Sequence, residues 1–342
     1  MKKTFKTPAL LAMGCMFGAL LFTACTSESA DLESPEVIAS TNLQVQLVPD
    51  PIEPITLERT SGDSKNSEKR ANTSGGPDRG RYNITLQYVV PVTERQQQVF
   101  EEAAGRWEEI IIGDEASVEG PIPSAFGGVA DIEGTIDDIV IEVAIAQIDG
   151  PGGILGQAGP RFVRTDNFLS LTGVMFFDVD DLAFLDQIDL FEEVIVHEMG
   201  HVLGVGTLWN VAPFFDRTLI ADTDTNPYFL GKKANVHWNA EGGTLELPVE
   251  DQGGPGTRLG HWRESAMNNE LMTGFLNFGE NPLSRITAGS MKDLGYKASN
   301  RGEQYDLPKG TAGVAAKNSG EGLHIAEMET LLLPIGTVDV NK

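Results

Sequence analysis

The chain has almost no cysteine. Only Cys15 and Cys25 occur in its 342 residues, both in or at the edge of an N-terminal leader. The body therefore has no cysteine pair to oxidise, and its stability must come from apolar burial and from any metal it binds. Basic residues are also scarce. Twenty-five Lys and Arg against 50 Asp and Glu give a net charge of −25, which argues against a phosphate-binding surface and so against nucleic acid as a partner. Long apolar runs are missing except for Ala9 to Ala24, which is too short for a comfortable membrane span. With only five histidines, any histidine constellation has few members to draw on.

The chain opens with the features of an export signal. Lys2, Lys3 and Lys6 precede the uncharged apolar run, which ends in Leu21-Phe22-Thr23-Ala24-Cys25. That ending resembles the bacterial lipobox, in which small residues precede a cysteine that is lipidated and becomes the new N-terminus. Residues 1–24 are thus expected to be a lipoprotein-type signal peptide and Cys25 the lipidation site. The exported chain would be held at the cell envelope or surface through its N-terminal lipid alone. Losing three lysines leaves it more acidic still.

Residues 25–80 are rich in Ser, Glu, Asp, Pro, Thr and Asn, and Ser61 to Gly80 holds no large apolar residue. This composition predicts a disordered tether, although the alternation in Leu43-Gln44-Val45-Gln46-Leu47 leaves a short strand there open. The folded domain is expected over 81–300. Tyr82, Ile84, Leu86 and Tyr88 share one parity and read as a half-buried strand. Thr93 with Gln96 forms a capping box, followed by a helical stripe of Phe100, Ala103, Ala104, Trp107, Ile110 and Ile111 that ends at Gly113. Ile139, Ile141, Val143 and Ile145 alternate as a strand, and Gly173 to Val179 is a second β-like run. This order predicts an α+β fold, with residues 301–342 as a C-terminal tail.

His197-Glu198-Met199-Gly200-His201 lies inside a predicted helix, Leu190 to Leu203. Two imidazoles one turn apart can bind a single zinc ion at about 2.0–2.1 Å. Glu198, rotated about 100° round the helix, would face the open metal position. It could there take a proton from a water whose pKa the metal lowers from about 15.7 to about 7, and hand it to a leaving amine. Gly204 follows where the helix would stop and the chain turn. Thr207 stands where the longer HExxHxxGxxH pattern has a third histidine, so the third ligand must come from His237, His261 or His324. His237-Trp238 and His261-Trp262 are alike as dipeptides. His261 is preceded by the flexible Gly253-Gly254-Pro255-Gly256, which would let the chain return to the helix.

The sequence Gly204, a long insertion, His261-Trp262, then Glu270-Leu271-Met272 resembles the leishmanolysin family of zinc endopeptidases over about Tyr82 to Tyr296. The resemblance implies a metzincin-like fold, with a twisted mixed sheet and active-site helix above a mostly irregular C-terminal subdomain. It also implies one catalytic zinc on His197, His201 and His261, Glu198 as base, Met272 as the methionine turn beneath the metal, and protein or peptide substrates. Leu283 to Tyr296 resembles the family's closing helix. A sheet edge above the helix would pair with substrate, and Gly153, Ile154, Leu155, Gly156, Gln157 and Ala158 are the candidate edge. The protozoan members carry disulfides and a propeptide cysteine for latency; this chain, without cysteine after Cys25, has neither device. Two rival functions are a surface lipoprotein keeping the fold as a binding module and a zinc amidase acting on a non-protein amide. Asp178, Asp180 and Asp181 lack the spacing of an EF-hand and read as helix-capping residues. Trp209, Trp238 and Trp262 read as core or cleft lining, and His324 as a surface residue.

Overall fold

The structure is a computed structural model that describes residues 45–58, 80–212, 214–254, 256–307 and 322–340. The leader, Cys25 and much of the expected tether lie outside the described residues. Those described belong to one unit, Asn42–Lys342.

Seven strands form the main sheet: β1 (Ile55–Glu58), β2 (Ile84–Tyr88), β3 (Ile139–Ala146), β4 (Gly156–Arg164), β5 (Ser170–Asp178), β6 (Glu329–Leu331) and β7 (Gly336–Asp339). The path runs β1-β7-β4-β5-β3-β2, with β6 pairing on β4 ahead of β7. Only β4 with β5 is antiparallel, so the sheet is mixed. Six helices accompany it among the described residues: α1 (Glu94–Ile110), α2 (Val179–Gln187), α3 (Phe191–Leu203), α4 (Lys232–Ala240), α5 (Glu264–Met267) and α6 (Arg285–Leu294).

Local chemistry accounts for the expected elements. The Thr93 hydroxyl accepts from the Gln96 N–H while the Gln96 side chain accepts from the Thr93 N–H, closing the capping box that starts α1. The α1 stripe meets α3, where the Trp107 indole N–H donates to the Val196 carbonyl at 2.9 Å. The odd residues of β3 (Ile139, Ile141, Val143 and Ile145) join this core. Its even face is buried too, unlike a half-solvated strand. Val118, Ile122, Ile132 and Ile136 pack on Val140, and Phe126 and Ala125 pack near Ala144. The irregular stretch 114–137 thus acts as a second cover, and buried Glu142 is satisfied there by the Ser124 hydroxyl and the Ala125 N–H.

Two boundaries read from composition are corrected. The expected tether, 25–80, contains a packed piece: Val48 N–H donates to Ala125, Val45 is buried, and Ile55–Glu58 pairs in parallel with β7. The expected tail, 301–342, supplies β6 and β7. Both pieces are short apolar segments set beside long polar stretches, so window composition hides them; their partners are distant in sequence, and no local signal announces the pairing. Beyond Gly204 the chain is mostly irregular, with two-residue strands, α4 packed on α6, and α5. Among the described residues no helix is long and apolar enough to cross a membrane.

α3 is buried along nearly its whole length, and its Gly200 packs closely against its neighbours. A Cβ there would lie 2.7 Å from the Met272 sulfur and 2.8 Å from the Trp107 ring. Gly200→Ala is therefore expected to destabilise the fold by about 1–3 kcal/mol through overpacking. The check is denaturant unfolding of the variant against wild type, in which an unchanged midpoint would refute the close approach.

Candidate metal centre and active site

The end of α3 is held by a full set of hydrogen bonds. Gly204 adopts φ +114°, a conformation that side chains resist, and its N–H returns to Gly200. Of the last four carbonyls, Gly200 accepts from Gly204 and Val205, His201 from the Thr207 hydroxyl (2.6 Å), Val202 from the Ser170 hydroxyl (2.7 Å), and Leu203 from the Tyr296 hydroxyl (2.9 Å). Thr207, at the place of the missing histidine, is thus a cap for the helix bearing the other two.

His197, His201 and His261 converge although His261 lies 60 residues beyond His201. Their Nε2 atoms are 2.9, 3.1 and 3.2 Å apart. Each Nδ1 faces a carbonyl: His197 that of Leu271 (2.7 Å), His201 that of Val205 (2.9 Å) and His261 that of Thr257 (3.1 Å). A carbonyl only accepts, so each Nδ1 carries a proton, and each ring, when neutral, turns an Nε2 lone pair inward. Three such lone pairs in a site with 0% exposure repel one another unless a cation lies among them. Tetrahedral ligation at about 2.0–2.1 Å needs donors about 3.4 Å apart, which these rings reach by spreading a few tenths of an ångström. The donor set therefore fits a zinc-type ion.

Glu198 is also fully buried, and neither of its carboxylate oxygens has a hydrogen-bond partner among the described residues. Burial, and then the nearby carboxylate of Glu329, push its pKa well above the usual range. Burial and the two neighbouring imidazoles hold His201 well below the usual histidine value.

Met272 is buried against Gly200, under the helix. The turn that carries it is organised by Glu270, a residue whose role the sequence did not disclose. The buried Glu270 carboxylate accepts from the Met272 N–H (2.7 Å), from the Ser284 N–H (3.2 Å) and hydroxyl (2.7 Å), and from the Thr287 hydroxyl. Thr287 accepts in turn from the Trp262 indole (2.8 Å), and the Trp262 N–H donates to the Met272 carbonyl (3.0 Å). This network ties the His261-Trp262 segment, the Met272 turn and the first turn of α6 together. Burial raises the Glu270 pKa against these hydrogen bonds.

His237 is not in the cluster; it lies on α4 against Gly289 of α6, half-buried. His324 is partly exposed and 3.4 Å from Glu327. Trp209, Trp238 and Trp262 are core, with Trp209 and Trp262 rings 4.5 Å apart. Asp178 caps α2, accepting from Asp180, and also receives the N–H groups of Ile148, Asp149 and Gly150, while Asp181 receives that of Gly152. These acids shape the loop before β4.

The expected substrate edge needs a correction. Gly153, Ile154 and Leu155 precede the strand, and Gly156, Gln157 and Ala158 begin β4 beside the cluster, but their edge is not free. β6 pairs with it in parallel, Glu329 opposite Gly156 and Leu331 opposite Ala158. Glu329 itself stands at the imidazoles, with its carboxylate 2.9 Å from His261, 3.3 Å from His197 and 3.8 Å from His201. It was not foreseen, because it comes from the supposed tail.

A family model described as leishmanolysin matches residues 86–311. A leishmanolysin-like peptidase of Caenorhabditis elegans is 39% identical over 80 residues, 22% of this chain and 12% of that protein. One of Drosophila pseudoobscura pseudoobscura is 45% identical over 70 residues, 20% of this chain and 10% of that protein. The matched stretch thus spans about an eighth or less of these relatives.

If Glu270 holds the turn, Glu270→Ala leaves several buried donors unpaired. It should lower stability by on the order of 3 kcal/mol and weaken metal retention although Glu270 touches no imidazole. Thermal unfolding with a parallel metal assay tests this; normal values for both would refute the role.

Proposed function

The chain belongs to the leishmanolysin family of metallopeptidases, and from that premise we propose that it is a zinc-dependent endopeptidase with ligands His197, His201 and His261 and Glu198 as general base. The observation that carries the reading is the convergence of three Nε2 lone pairs, each fixed by a carbonyl behind the ring, beside an unpartnered carboxylate. A zinc ion there would supply Lewis-acid polarisation of the scissile carbonyl and acidify a water. Glu198 would take the proton of that water and deliver it to the leaving amine. The β4 edge at Gly156 to Ala158 would align a peptide backbone over α3 only with β6 displaced from it. Met272 and the Glu270 network would keep the imidazoles in place. An intact base favours a hydrolase over a binding module.

The test is digestion of casein or a peptide library by the purified, zinc-supplied chain. Cleavage should stop on chelation, and Glu198→Ala should keep its metal while turnover falls by a factor of about a hundred or more. Near-normal hydrolysis by that variant would contradict the mechanism. His261→Ala should lose stoichiometric zinc and His237→Ala should retain it. Metal analysis giving the reverse would overturn the ligand assignment.

Residues 1–24 and Cys25 lie outside the described residues, and we propose that they direct export and lipid anchoring. Cys25→Ser should release the protein from membranes or block its processing; an unlipidated soluble wild type, seen by fractionation and mass spectrometry, would contradict the anchor.

A further inference from the structure

The residues that fit a catalytic ion are fully buried. His197, Glu198, His201 and His261 are each 0% exposed, and a peptide bond can reach them only if something moves. Among the described residues a continuous piece of this chain, Gly322 to Leu332, runs between the Met272 side of the site and the sheet. Gly322–Leu323 pairs antiparallel with Leu276–Asn277, just beyond Met272. The Ala326 N–H donates to Gly274 (3.2 Å), and the Ala326 carbonyl accepts from the Thr257 hydroxyl (2.7 Å). The segment then crosses to the sheet. The Met328 carbonyl accepts from Leu155 (2.7 Å), Glu329 to Leu331 pair with Gly156 to Ala158, and the Leu332 N–H donates to Ala158 (2.8 Å). Backbone pairing along an edge, with side chains set into pockets on either side, is how a sheet edge takes up an extended peptide.

One side chain of this segment is not neutral packing. The Glu329 carboxylate lies 2.9 to 3.8 Å from all three Nε2 atoms, beside Glu198. A catalytic zinc of this type uses three protein donors and keeps a fourth position open for water or substrate. We infer that residues 322–332 are a built-in occupant of the substrate cleft, with Glu329 as a fourth donor that closes the metal's open position and holds the enzyme latent. This inference rests on the metal-site reading proposed above. The occupant uses the same edge and the same metal position that substrate needs, so the two compete, and apparent substrate affinity is the intrinsic affinity multiplied by the fraction of time the segment is away. The device needs no cysteine, in keeping with a body that has none after Cys25.

Two variants of the full chain test it. Glu329→Gln keeps size and shape while removing the anionic donor. Loaded with cobalt(II), it should show a changed visible spectrum as water replaces carboxylate. Loaded with zinc at one ion per chain, it should cleave peptide faster than wild type by about tenfold or more. An identical spectrum and rate would show that Glu329 does not occupy the metal. Loss of both metal and activity would show that it is a required ligand rather than an occupant, and would equally overturn the inference. Failure of wild type to bind any metal would instead sink the underlying site reading.

The second variant adds Gln157→Cys and Thr330→Cys, residues directly opposite in the β4–β6 register, to Glu329→Gln. Oxidation should lock the segment and abolish cleavage, and reduction should restore it. Equal activity in both redox states, with the disulfide confirmed by mass spectrometry, would show that the segment need not leave.

Discussion

Three imidazoles that turn their Nε2 atoms toward one point, about 3 Å from one another and fully buried, are a constraint that the rest of this protein must meet. The arrangement is unfavourable without a positive charge at its centre, and it persists because every ring is fixed from behind by a backbone carbonyl. Those carbonyls belong to three places: the turn after α3, the Thr257 loop and the Met272 turn. Much of the fold can be understood as what brings these three to one spot. The sheet and α1 fix α3 from above and beside; Ser170, Thr207 and Tyr296 fix its last carbonyls. Glu270 then binds the Met272 turn and α6 into one unit with Trp262, the neighbour of His261.

The parts of this arrangement that depend on local periodicity were legible in the sequence. The Thr93 capping box, the α1 stripe and the α3 helix up to Gly204 stand where the spacing places them, because one turn of helix sets each relation. The choice between His237 and His261 was not local, since both precede a tryptophan. The family resemblance favoured His261, and the structure brings it to the other two. Glu270 and Glu329 were invisible for a related reason. A buried carboxylate is recognised by its donors, and the partners of Glu270 lie up to 17 positions away, while those of Glu329 lie farther still. The misread strands, 55–58, 329–331 and 336–339, fail on the same ground, because parallel pairing of short strands leaves no signature in either strand alone.

The closed cleft and the missing cysteines bear on each other. The proposed peptidase activity calls for some means of restraint once the centre is assembled, and no cysteine follows Cys25 to provide a thiol. A carboxylate on a strand is a different solution with similar physics. It offers an anionic donor for the ion, and the strand's backbone pairing sets how firmly that donor is held. Such a restraint can be tuned at the strand, for example at Leu331 or Leu332, without touching the imidazoles.

The central claim is that the converging imidazoles hold one metal ion. Zinc X-ray absorption fine structure on the purified full chain measures this directly. The account predicts one zinc per chain with three imidazole nitrogens at about 2.0–2.1 Å and an oxygen donor completing the shell. A chain that retains no zinc, or a shell containing fewer than three imidazoles, would contradict it.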